Sequence, residues 1–225
     1  EKSFPRALIA LKKFRANGGT VILVTNAPRP IENVNYQIQS LGITKQHYDK
    51  LLTSGELTSN YIKKSSIDKI NIFHIGGKLH HSIYKSILGH KKLNIENKEI
   101  LNADLIVCTE PFNPKIDQLS DYEKMLEVGV NKKLTFLCAN PDLVVDVGEK
   151  REMCAGSLAL LYEKMGGKVI YFGKPHKNIY EEAYSFLTEC QQTQVASILC
   201  VGDGLKTDIQ GANNENLDSL LVVGG

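Results

Sequence analysis

Short runs of β-branched and other apolar residues recur along the chain, at residues 20–24, 70–75, 104–107, 134–139, 168–172, 197–201 and 219–223. Each reads as a strand. Between most of them the apolar positions shift to helical spacing, the alternation expected of a mostly parallel sheet covered by helices. One helix is predicted over about 5–17, with Pro5 in its first turn and Gly18-Gly19 at its exit. Another is predicted over about 177–189, where Ile179, Ala183, Phe186 and Cys190 share a face. The pattern therefore predicts an α/β protein. No internal repeat or low-complexity tract interrupts it.

Composition narrows the class. With 42% hydrophobic and 23% charged residues among 225, the chain can bury a substantial core. The 27 basic and 25 acidic side chains are scattered along its length, so no basic stripe points to nucleic acid. Lysine pairs such as Lys12-Lys13, Lys63-Lys64 and Lys91-Lys92 read as solvated faces. The longest apolar stretches are far too short to cross a bilayer, and the first residues lack the design of a signal peptide. Cys108, Cys138, Cys154, Cys190 and Cys200 form no CxxC pair, and Cys200 lies inside an apolar run, which suits buried thiols in a reducing compartment. A soluble cytoplasmic protein without membrane or nucleic-acid partners is expected.

Chemically suggestive residues concentrate around 21–60 and 168–215, whereas the middle is strand-rich and poor in motifs. This predicts a discontinuous core formed by residues 1–65 and 168–225, with a second α/β domain inserted at 66–167. In open parallel sheets, ligands bind beyond the carboxyl ends of the strands, so the residues following each strand are the ones to inspect. Val21-Ile22-Leu23-Val24 leads into Thr25-Asn26, Val169-Ile170-Tyr171-Phe172 into Gly173-Lys174-Pro175, and Ile198-Leu199-Cys200-Val201 into Gly202-Asp203-Gly204, with Thr207-Asp208 opening a helix. A hydroxyl, a fixed cation and a carboxylate pair at one crevice would suit a phosphate ester with a divalent cation. Taken singly, each has a plainer reading. Asp203 or Asp208 could cap a helix, Thr25 could close a turn, and Lys174 could lie on the surface.

These segments resemble the motifs of the haloacid-dehalogenase-like hydrolases. The similarity is to the class IIA group, which includes 4-nitrophenyl-phosphatase-like and pyridoxal-phosphate-phosphatase-like enzymes. Val24-Thr25-Asn26-Ala27-Pro28-Arg29 resembles the second motif, Gly173-Lys174-Pro175-His176 the third, and Gly202-Asp203-Gly204-Leu205-Lys206-Thr207-Asp208-Ile209 the fourth. Leu52-Thr53-Ser54-Gly55, Ala139-Asn140-Pro141-Asp142 and Cys154-Ala155-Gly156-Ser157-Leu158 agree as further landmarks. The resemblance implies a Rossmann-like core with an α/β cap between the second and third motifs. It also implies that a first-motif aspartate attacks phosphorus to form an aspartyl-phosphate. Magnesium would be held by that aspartate, a main-chain carbonyl and Asp203, with Asp208 an outer partner more than a direct ligand. No DxD or DxxG segment precedes the Thr25 strand, so the nucleophile is expected upstream of Glu1.

The expected function is magnesium-dependent hydrolysis of a small phosphomonoester. Thr25, Lys174 and Asp203 would be catalytic, and Thr25, Asn26 and Lys174 would bind phosphate. The alternative is a silent phospholigand-binding or regulatory module that has lost its nucleophile. Asn140 and Asp142 could face the substrate from the cap, although an ordinary turn explains them equally well. His74, His80, His81 and His90 form a loose group, read as solvated surface in preference to zinc. Gly76-Gly77-Lys78 reads as a strand-to-helix turn, and Cys154 as a packing residue. An exposed apolar cap face would permit a homodimer.

Overall fold

The computed structural model describes residues 3–95, 99–148, 150–190 and 198–223. From the amino end, α1 (Pro5–Ala16) leads to β1 (Ile22–Thr25), α2 (Ile31–Ser40), β2 (Lys50–Thr53), α3 (Ser54–Lys64) and β3 (Lys69–Ile75). A 3-10 helix at Lys78–Tyr84 and β4 (Lys92–Asn94) precede β5 (Leu105–Cys108), α4 (Glu123–Asn131) and β6 (Thr135–Cys138). Next come the hairpin of β7 (Val144–Val147) and β8 (Lys150–Met153), then α5 (Ala155–Lys164) and β9 (Lys168–Tyr171). The chain continues through α6 (Lys177–Glu189), β10 (Leu199–Gly202), α7 (Gln210–Asn214) and β11 (Asp218–Leu221).

Five strands form one parallel sheet in the order β4-β3-β5-β6-β9. Parallel strands covered on both faces are apolar throughout, and side chains alternate between the two faces. Ile75, Ile106, Cys108, Phe136 and Cys138 point to one face, where Leu126, Leu158, Ala159 and Tyr162 of α4 and α5 close over them. Ile70, Ile72, Val107 and Leu137 point to the other, against Leu57 and Ile62 of α3, Ile83 and Tyr84 of the 3-10 helix, and Ile179 and Tyr180 of α6. The expected α/β fold with a parallel sheet is present.

The remaining parallel strands form two pairs, β1 with β2 and β10 with β11. Ile22 and Val24 of β1 and Cys200 of β10 pack against the second cluster. A smaller cluster of Val21, Val34, Tyr48 and Leu51 holds α2 on the first pair. Leu199 and Val201, alternate residues of β10, are each 57% exposed, so one face of that strand lacks cover among the described residues. Strand β9 hydrogen-bonds to β6 in the register Ile170↔Leu137, so the sheet of the middle segment reaches residue 171. Residue 197, expected to open the penultimate strand, lies outside the described residues. Among those described, no helix is long and apolar enough to cross a membrane.

Candidate active site

All strands of the large sheet run the same way, so the loops after β3, β5, β6 and β9 leave from one edge. The loop after β9 carries Gly173 and Lys174, and the loop after β6 carries Asn140 and Asp142. From the small pairs, β1 delivers Thr25 and Asn26, and β10 delivers Asp203 with Asp208 on the π-helical turn Leu205–Ile209.

Asn26 ties three of these loops together. Its Nδ2 donates to Asp142 Oδ1 at 2.9 Å and to the Lys174 carbonyl at 2.9 Å, while its Oδ1 accepts from the Lys174 N–H at 2.8 Å. At 6% exposure the carboxamide is buried and its capacity is largely spent within the protein. Its side chain is therefore a clamp, and what it offers a ligand is the main chain beside it. Gly173 permits this closeness. Its φ of +122° disfavours other residues, and a Cβ there would lie 2.2 Å from Ser54 Oγ and 2.5 Å from Asn26 Oδ1.

With its backbone fixed, Lys174 points Nζ at Asp208 Oδ1, 2.6 Å away, in an ion pair whose side chains are 17% and 14% exposed. Asp208 Oδ2 accepts from the Gly204 N–H at 3.1 Å, which ties this carboxylate to the loop carrying Asp203. Asp203 itself is exposed, and its carboxylate has no protein partner among the described residues. Thr25 Oγ1 accepts from the Ala27 N–H at 3.2 Å, closing the turn after β1 while keeping its own proton to donate.

Asp142 reaches the cluster from the loop after β6, across 116 residues of sequence from Asn26. Burial raises its pKa above the usual value; the Asn26 hydrogen bond and Lys174 oppose that rise, and the charge of Asp208 adds to it. Asn140 does a different job, its Oδ1 accepting from the Asp142 N–H at 3.1 Å within the turn. Below the site, Thr53 at the tip of β2 accepts from Glu56 N–H at 3.0 Å, capping α3, and donates to the Arg29 carbonyl at 2.7 Å.

Of the histidine group expected at the solvated surface, His90 is exposed, whereas His74 is buried and His80 and His81 are half-buried. His74 is buried on β3, its Nδ1 lying 2.7 Å from the Tyr84 hydroxyl and its ring edge-on to His81. The expectation failed for His74 because Ile72, Phe73, His74 and Ile75 form the buried end of a strand covered on both faces. Burial first, then repulsion from His81 and His80, lowers the His74 pKa to about 3, so this ring is neutral. His80 Nδ1 lies 3.1 Å from Thr109 Oγ1 and 3.4 Å from Glu110 Oε1. Burial lowers the His80 pKa despite Glu110, and Arg29 of the β1 loop acts in the same direction. Glu110 went unnoticed in the sequence, and His80 was read there as solvated surface. The available signal for Glu110 was its place just after β5, the rule that picked out Lys174 and Asp203.

Gly76 and Gly77 form the turn expected of them, between β3 and the 3-10 helix. Cys154 is buried and its thiol is pushed up to about 12, chiefly by desolvation, as suits a packing residue. All five cysteines are free.

Two family models match, one described as haloacid dehalogenase-like hydrolase over residues 1–87 and one as HAD-hydrolase-like over residues 171–225. A solved haloacid dehalogenase-like hydrolase from Brucella suis 1330 is 38% identical, with a TM-score of 0.85, covering 100% of this chain and 84% of its own. A 5'-nucleotidase from Bacillus subtilis (strain 168) is 31% identical over 124 residues, which is 54% of this chain and 44% of that relative. At 20% identity, a glycerol phosphate phosphatase from Mycobacterium tuberculosis, solved in complex with magnesium, shares the fold with a TM-score of 0.71 over 100% of this chain and 63% of its own. The chain belongs to the haloacid dehalogenase-like hydrolase family. It spans 44% of the length of the curated relative that it matches.

Proposed function

We propose that this chain belongs to a phosphatase that hydrolyses a small phosphomonoester with magnesium, through an aspartyl-phosphate. In this reading residues 1–65 and 168–225 are the core and 66–167 the cap. The observation that carries it is the convergence at Lys174. Its backbone is held by Asn26 from β1 and its ammonium by Asp208 from the β10 loop, so the tips of three strands meet at one place. The 5'-nucleotidase and the glycerol phosphate phosphatase among its relatives support the same reaction class.

Thr25 would donate its hydroxyl to a phosphoryl oxygen, beside the main-chain N–H of Asn26. Lys174 would neutralise charge developing on the transferred group, where a fixed cation does more than a mobile one. Asp142, held against Asn26, would border the leaving group.

Among the described residues no group of three or more His, Cys, Asp or Glu is arranged to hold a metal. The donor set nevertheless fits magnesium, which binds one or two carboxylates and completes its shell with water and substrate phosphate. Asp203, exposed and unpaired, would be the direct ligand. Asp208, already engaged by Lys174 and Gly204, would orient the loop. When bound, the ion would offset negative charge on the phosphoryl oxygens.

The nucleophile would be an aspartate upstream of Glu1, carried by a strand between β1 and β10. The pairs β1–β2 and β10–β11 each lack a second neighbour among the described residues, which leaves a backbone edge on each open to such a strand. The test is release of phosphate from 4-nitrophenyl phosphate by the complete protein. Asp203→Ala should abolish the magnesium-dependent activity, and activity that survives this change removes Asp203 from the mechanism. Phosphate binding without any turnover would favour the silent binding module.

A further inference from the structure

We propose that Glu110 and His80 form a recognition site for an uncharged, polyhydroxylated leaving group, a sugar or polyol bound at the far end of the same row of strand tips. This rests on the phosphatase reading above and adds the class of substrate to it.

Position comes first. Lys174, Asp142, Glu110 and His80 follow β9, β6, β5 and β3, which are consecutive along one edge of the sheet. Neighbouring strands lie about 4.8 Å apart, so the tip bearing Glu110 stands roughly 10 Å from the one bearing Lys174. That span matches a phosphorylated chain of five or six carbons better than one of three.

The groups are held in place yet reachable. Glu110 Oε1 accepts from the Gly77 N–H at 3.2 Å and meets His80 Nδ1 at 3.4 Å, while Oε2 has no protein partner among the described residues. The two side chains are 32% and 19% exposed. Behind them, Thr109 Oγ1 touches both His80 Nδ1 and His74 Nε2, at 3.1 and 3.4 Å, and His74 is held in turn by Tyr84. Such a chain of buried partners fixes the His80 ring and leaves Nε2 to meet a ligand.

Charge then selects the ligand. The carboxylates of Asp142 and Glu110 stand between Lys174 and His80, and both would repel a second anionic group. The charge of Arg29 on the β1 loop lowers the His80 pKa and so opposes positive charge there. Neutral hydroxyls satisfy both conditions, since a carboxylate accepts from hydroxyl donors and an imidazole nitrogen can donate or accept.

The experiment, with magnesium withheld so that no ester is hydrolysed, is calorimetric titration of the complete protein with sorbitol 6-phosphate, glycerol 3-phosphate and inorganic phosphate. It uses the wild-type chain and the variants Glu110→Gln and His80→Ala. Glu110→Gln retains an acceptor for Gly77 N–H, so the loop keeps its anchor. The wild type should bind sorbitol 6-phosphate at least about tenfold more tightly than inorganic phosphate, with glycerol 3-phosphate gaining less. Each variant should bring that ratio down toward one, as expected when a hydrogen-bonding partner is removed from a built site. A wild-type ratio near one, or a ratio unchanged in both variants, would overturn the proposal. If the ratio behaves as expected while 4-nitrophenyl phosphate is never hydrolysed, it is the phosphatase reading that fails.

Discussion

Asn26 and Asp142 are separated by 116 residues and joined by one hydrogen bond of 2.9 Å. Strand-tip reasoning placed Asn26 beside the phosphate, and Asp142 was expected either to face the substrate from the cap or to close an ordinary turn. Nothing local in either segment reveals that the two side chains meet, because the contact arises only when two sheets are brought together. Asp142 also has a measurable signature. Its pKa is raised, so the folded state holds a proton that the unfolded chain releases above its ordinary value of 3.8. The favourable contribution of protonated Asp142 is complete below that value and is lost as pH rises through the folded pKa. In Asp142→Asn the amide oxygen can still accept from Asn26 and has no charge to desolvate. Melting curves should show this variant gaining on the wild type as pH rises above 3.8, with no gain below it.

At the level of the element, the amino end of α3 positions the loop after β1. Gly55 N–H donates to the Ala27 carbonyl at 3.1 Å, and a Cβ at residue 55 would lie 2.3 Å from Arg29 N. Backbone cannot give way as a flexible side-chain end can, so Gly55→Ala should displace the loop bearing Thr25 and Asn26. The expected cost is about 1–3 kcal/mol in denaturant unfolding, with weaker binding of inorganic phosphate. Apolar runs such as Ile70 to Ile75 announced their strands, because both faces of the sheet are covered and polar residues have little place there. Strand β2, Lys50–Thr53, was not delimited, since four residues carry too little pattern to separate a strand from the helix start that follows. The β7–β8 hairpin escaped for a related reason. Its valines lie exposed on a two-stranded ribbon, so burial imposed no period on them.

Across the whole molecule, the sheet order was the least legible feature. Strand β9 lies next to β6 although the chemistry at its tip belongs with β1 and β10, and a local pattern does not record which neighbour a strand selects. The buried centre also sets a limit on acid tolerance. His74 is neutral in the fold, with a pKa of about 3 against 6.5 in the unfolded chain. Its contribution is therefore present above pH 6.5 and is lost as the pH falls toward 3. In His74→Gln, which can still pair with Tyr84, the part of the acid decline between those values should flatten by on the order of a few kcal/mol. An unchanged slope in chemical denaturation would show that other groups govern it.

The seating of β9 in the large sheet has a mechanical outcome. Lys174 follows β9 and Asp142 follows β6, its neighbour in the sheet, so the two stand side by side. The three bonds of the Asn26 amide fix both to the tip of β1, so neither the lysine backbone nor the carboxylate can shift relative to β1 without breaking them.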